Sequence, residues 1–193
     1  MLKGMREGPT YVVSTPNFIS NLFSDIRFSW LWLIVRVLIG WTWFQSGTGK
    51  LGNPAWMDGG AALKGFWTAA VQVPEEGKAQ ITYGWYRDFL QSLLGAEAYT
   101  WFGPLIAIGE TVMGIALIVG AFVGIFAFIS AFANMNFMLA GVTSTNPLMF
   151  LGGILLILAW QIAGYIGLDY WLLAKLRTPW DWQKEKELRE ARK

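Results

Sequence analysis

The chain contains no cysteine and no histidine. Without cysteine there is no disulfide, no thiolate nucleophile and no thiolate-held iron–sulfur cluster. Without histidine there is no imidazole-ligated haem or copper centre. No haem, no iron–sulfur cluster and no metal site is therefore expected, and the redox compartment cannot be read from thiol usage. Charge is also scarce, at 15% of residues, where a soluble domain carries about 25%. No internal repeat or low-complexity tract is visible, and no feature points to nucleic-acid binding.

What fills the 193 residues instead is apolar: 54% hydrophobic and 16% aromatic, with twelve tryptophans. That length suits one domain. Many tryptophans stand near the ends of apolar runs, at Trp30, Trp32, Trp41, Trp43, Trp101, Trp160 and Trp171. Amphipathic rings favour the headgroup level of a bilayer, so this placement is expected to form an aromatic belt among membrane lipids.

Residues 1–27 are polar and mixed, with no apolar run of signal-peptide type. A first span is predicted over about 28–48, broken by one charge, Arg36. A second apolar block runs from Trp101 to Ala140 with one charge, Glu110. As one helix it would be about 60 Å long, twice the hydrocarbon core, so it must fold back as two spans. Gly120 and Gly124 mark the break, giving spans at 101–119 and 122–140. Pro147 opens a fourth at about 148–166, since proline is tolerated in the first turn of a helix. The expected fold is thus an all-α integral membrane bundle of four spans in a single domain, 1–193.

Lysine and arginine cluster at the two ends of the chain, ten of them outside the spans, whereas the loop 51–99 holds only Lys50, Lys64, Lys78 and Arg87 at or within its borders. Positive residues stay cytoplasmic. Both termini, including the tail 167–193, are therefore expected inside a prokaryotic cell membrane, with the 51–99 loop outside. Within that loop, Ala61–Val73 and Tyr83–Leu94 are predicted as short interfacial helices, separated by the turn Pro74-Glu75-Glu76-Gly77-Lys78. In the tail, Thr178-Pro179-Trp180-Asp181 resembles a capping box opening a charged helix toward Arg192.

A few polar residues lie inside the spans. Arg36 and Glu110 fall near the middle of neighbouring antiparallel spans, where an unpaired charge costs about 2.5–3.5 kcal/mol. They are expected to pair in the bundle interior, fixing helix register, serving a buried site, or both. Arg36, Gly40, Trp43, Gly47 and Lys50 form one stripe at helical spacing, which by its small residues speaks first for close helix packing. Asn134 and Asn136 either hydrogen-bond between helices or line an outward-opening pocket with Trp43, Gln45 and Lys50. Gly47-Thr48-Gly49-Lys50 lacks the full spacing and the strand of a phosphate loop.

Several of these segments carry a family resemblance. Arg36-Val37-Leu38-Ile39-Gly40, Gly47-Thr48-Gly49-Lys50-Leu51 and Asn53-Pro54-Ala55-Trp56 resemble the first-helix signature of the DoxX/DoxD family. Gly109-Glu110 with Gly114 and Gly120 is similar to its second helix, and Asn134-Met135-Asn136-Phe137-Met138 to its third. Gly167-Leu168-Asp169-Tyr170-Trp171-Leu172-Leu173 with Thr178-Pro179-Trp180 is similar to the DoxD-like ending. The resemblance implies a four-helix membrane protein. Through members resembling the large subunit of thiosulfate:quinone oxidoreductase, it also implies a quinone-linked role, with quinone as the candidate cofactor and with partner subunits. In that reading the candidate catalytic residues are Arg36 and Glu110. Trp43, Gln45, Lys50, Asn53, Trp56, Asn134 and Asn136 would bind substrate or quinone. With no thiol or imidazole, electrons would pass by direct quinone chemistry, a bound organic cofactor or a partner's centre. A non-catalytic accessory subunit of a larger respiratory or photosynthetic membrane complex is the alternative. A small transporter has less in its favour, because no inverted repeat is visible.

Overall fold

The computed structural model describes residues 16–176. The capping box at Thr178 and the charged helix toward Arg192 lie outside these residues. The described chain is all-helical: α1 (Asn17–Ser24), a 3₁₀ turn (Ile26–Phe28), α2 (Ser29–Leu51), α3 (Pro54–Met57), α4 (Ala61–Ala70), α5 (Gly84–Gly95), α6 (Tyr99–Val119), α7 (Val123–Leu139), α8 (Asn146–Leu158), α9 (Trp160–Ala163) and α10 (Asp169–Lys175). Two of these, the Ile26–Leu51 stretch and α6, are long and apolar enough to cross a membrane. The other two apolar helices are shorter, at 17 residues for α7 and 13 for α8.

The packing forms two antiparallel pairs, α2 against α6 and α7 against α8. Small residues set the first pair. A Cβ on Gly47 would collide with the backbone of Thr111 and Glu110, and one on Gly114 with the backbone of Phe44. The backbones can touch there only because neither position carries a side chain. This register puts Gly47 level with Glu110 and Arg36 level with Gly120. The midpoints of the two helices are therefore offset by about two turns, or roughly 11 Å.

Gly120 ends α6 in the left-handed conformation, φ 74°, with its N–H bonded to Ala116 O. Its missing side chain also leaves room for the Arg36 guanidinium, which a Cβ would strike. The turn to α7 is completed by Ala121 and Phe122. The region expected as one span over 148–166 is broken instead. α8 stops at Leu158, Ala159 leaves helical geometry at ψ 9°, and a single further turn follows as α9. Ile162 N bonds to Ala159 O, a three-residue closure that turns the last segment. α9 itself ends at Ala163, which leaves carbonyls there for use by another side chain.

Two apolar cores result. The larger gathers Trp32, Ile39, Trp43, Leu117, Val123 and Leu156 between the four long helices. The smaller lies under α4 and α5 and holds Leu63, Trp67, Ile81, Tyr86 and Leu90. Each aliphatic side chain so buried from water contributes roughly 1.5–3 kcal/mol. Gln80 ties the loop between α4 and α5 to the end of α7, donating to Ala140 O at 2.9 Å.

The outward faces of the four long helices are apolar too. Ile34, Leu38 and Trp41 on α2, Leu105, Ile108 and Val112 on α6, Ile125, Phe128 and Phe132 on α7, and Leu148, Leu151 and Leu158 on α8 are all exposed. α7 and α8 contain no charged residue. Of the tryptophans expected in a belt, Trp30, Trp41, Trp101 and Trp171 face outward, whereas Trp32 and Trp43 are core residues. Their indole N–H groups are satisfied inside, on Leu22 O and Ser130 Oγ.

Candidate functional site

Arg36 and Glu110 do not pair. The stagger of α2 on α6 separates them by about 11 residues of helix, roughly 16 Å. Each has found a different partner. Lys50, in the last turn of α2, donates to Glu110 Oε2 at 2.6 Å and to Ser46 Oγ at 2.6 Å. Arg36, 1% exposed, donates to Ala163 O and Ile166 O, both at 2.9 Å, carbonyls at and just beyond the end of α9. Asp169 attracts it electrostatically.

Asp169 closes the end of the molecule that holds Arg36. Its carboxylate accepts from Phe122 N at 2.6 Å and Val123 N at 2.9 Å, so it caps α7 from across the chain. Burial pushes this carboxyl up, while the two amide donors and Arg36 pull against that shift. The two terminal nitrogens of Arg36 and both oxygens of Asp169 meet protein backbone, as in a structural clasp, while Arg36 Nε is buried without a hydrogen-bond partner among the described residues.

The Lys50–Glu110 pair stands at the opposite end of α2, in the wall of an open cavity of about 330 Å³. Trp43, Trp56, Phe66 and Phe137 supply aromatic walls, and Ser46, Thr145 and Asn146 supply polar ones. The Lys50 ammonium lies 5.1 Å from the centre of the Trp56 ring, within cation–π range. Glu110 is 4% exposed, and while Oε2 holds Lys50, its Oε1 has no hydrogen-bond partner among the described residues. Glu110 lines the cavity, and a buried carboxylate oxygen without a partner is a strong acceptor for an O–H or N–H that reaches it.

Of the residues expected to bind, Trp43, Lys50 and Trp56 thus come together with Glu110. The others do not join them. Gln45 is exposed on another face of α2. Asn53 caps α3, accepting from Ala55 N at 3.0 Å. Asn134 and Asn136 each donate to a carbonyl one turn back in α7, Ser130 O and Phe132 O. Asn136 also accepts from the Tyr86 hydroxyl, which burial holds above its ordinary range. It lines a second, apolar cavity of about 290 Å³ beneath α4 and α5. Ser46, Phe66, Phe137 and Asn146 line the first cavity without having been expected there. Only Ser46 left a trace in the sequence, one helical turn before Lys50.

No family model, no curated protein and no solved structure matches this chain.

Proposed function

We propose that this protein is a four-span membrane protein whose Lys50–Glu110 cavity binds the head group of a quinone, as the membrane subunit of a quinone-linked oxidoreductase. The membrane part is supported by the exposed apolar faces of α2, α6, α7 and α8. Soluble monomers rarely expose so many large apolar side chains, and such faces mark contact with a membrane or another protein. α7 and α8 are short for a 30 Å core, at about 26 and 20 Å, and α9 together with local thinning would make up the difference. The lysine and arginine distribution supports an orientation with the Arg36 end and both termini in the cytoplasm and the cavity at the outer face.

One observation carries the head-group reading: Glu110, whose Oε1 is buried and unpartnered, lies beside an ammonium in the wall of a cavity with four aromatic rings. An ion pair is neutral overall, so the cavity suits an uncharged ring better than an anion. A quinone oxygen accepts from Lys50, and a quinol O–H donates to Glu110. Trp43 and Trp56 flank the ring. Reducing a quinone takes two electrons and two protons; in this reading Glu110 relays the protons one at a time from Lys50, which is recharged from the outer aqueous side. The DoxD-like resemblance makes the donor thiosulfate, two ions of which give up one electron each as they join through a new S–S bond, directly or through a partner's centre. The test is reduction of a quinone by the purified protein, alone and with the products of neighbouring genes, with thiosulfate as donor. Turnover that Glu110→Gln lowers at least tenfold supports the reading; absence of turnover in both settings overturns the catalytic part.

A non-catalytic accessory subunit is the second reading. It is favoured by the exposed rings of Tyr83, Trp85 and Phe89 along α5, outside the four long helices. It requires stable co-purification with a large membrane complex, and recovery as a solitary monomer in mild detergent counts against it.

A further inference from the structure

The cavity has an apolar neighbour. Thr42 and Met149 line it and also line a groove of about 330 Å³ between α2 and α8, so the two spaces adjoin across these side chains. The groove's other residues are all apolar, among them Val35, Ile39 and Leu155. Its one hydroxyl is occupied, because Thr42 Oγ1 donates to Leu38 O at 3.0 Å. Gly152 forms the floor with Ile39, whose Cδ1 would lie 2.6 Å from a Cβ placed there. Leu38, Leu148 and Leu151 stand at the rim, between 53% and 74% exposed, so the groove is open along its side. Polar chemistry thus sits at one end, and an aliphatic slot leads away from it toward the middle of α2.

We infer that the occupant of the site is an amphiphile: its polar head lies against Lys50 and Glu110, and its hydrocarbon chain passes between Thr42 and Met149 into the α2–α8 groove. This deepens the quinone reading and rests on it for the identity of the head alone. From Thr42 to Val35 the groove follows α2 for about 10 Å, the reach of a medium-length alkyl chain. The cavity beneath α4 and α5 also touches the site, through Phe66 and Phe137. It leads under the loop helices instead of into the apolar layer, so a chain anchored in a bilayer has the α2–α8 groove as its direct path. Side access matters for such a ligand, since it arrives from within the lipid.

The experiment uses the full chain in lipid vesicles and two photoreactive probes that share a decyl chain ending in a diazirine. One carries a benzoquinone head, the other a glycerophosphocholine head. After illumination, the labelled peptides are identified by mass spectrometry. The expected result is quinone-probe labelling concentrated on the Val35–Thr42 and Leu148–Leu155 stretches. Filling the groove rim with Leu38→Trp and Leu151→Trp should reduce it about tenfold, as overpacking of a fitted slot does. Both positions are exposed, so the fold should survive. Label on α4 and α5, or spread evenly over the outward faces of all four long helices, overturns the inference. Equal groove labelling by the phosphocholine probe leaves the amphiphile site standing and removes the quinone reading of its head. Absence of groove labelling by either probe removes the inference altogether.

Discussion

Lys50 and Glu110 hold each other inside a wall of mixed aromatic and polar side chains, and the cost of separating them follows from burial. Removing one partner leaves the other charged and desolvated, which costs about 3–5 kcal/mol, whereas replacing both is far milder. Lys50→Met should therefore lower thermal stability in detergent more than the double variant Lys50→Met with Glu110→Met. Equal losses would mean that the pair is not coupled. Asp169 gives a second expectation at this scale. Asp169→Ala strips two amide donors of their acceptor and Arg36 of its nearby negative charge. It should cost about 2 kcal/mol or more, read as an earlier unfolding midpoint, with Asp169→Asn recovering part of the loss. Pocket membership was partly legible: Trp43, Lys50 and Trp56 lie within two helical turns and one short loop of each other. Glu110's partner was not, because apolar run boundaries place a charge by its fractional depth, and the true depth depends on how two helices slide past one another.

That sliding belongs to the helix scale, where glycines decide it. Gly47 faces α6 with no room for a methyl group, while Gly49, two residues on, meets nothing within 4 Å. Gly47→Ala should separate α2 from α6 and lower the unfolding temperature by several degrees. Gly49→Ala should be neutral or slightly stabilising, since alanine is the better helix former by about 1 kcal/mol. Matching effects from the two would contradict the packing of α2 on α6. The stripe of Arg36, Gly40, Trp43, Gly47 and Lys50 announced this contact face. The break at Ala159 carried no such sign, with neither glycine nor proline beside it. Arg36 meets the chain beyond it, at the carbonyls of Ala163 and Ile166, a tertiary contact that no local run of residues encodes. The asparagines of α7 misled in the opposite sense. Their amides bond one turn back along their own helix, a local solution open to any polar side chain on an apolar helix.

For the molecule as a whole, the apolar helices and their order could be read from run lengths, because 40 apolar residues cannot cross a 30 Å layer once. The folded segment between α2 and α6 was harder to weigh. Its rings serve a second core under α4 and α5 as well as an outer surface. On the proposed reading the protein stays with membranes through alkaline carbonate washing, and release into the soluble fraction would remove the bilayer from the account. Within that bilayer, the unpartnered oxygen of Glu110 is proposed to meet a quinone head. Difference infrared spectroscopy of the reconstituted protein, with and without a soluble quinol analogue, reads that carboxyl directly. A carboxyl band that shifts on addition of the quinol and is missing in Glu110→Gln is the expected result. A spectrum in which the quinol moves no carboxyl band, or moves the same band in Glu110→Gln, would contradict it.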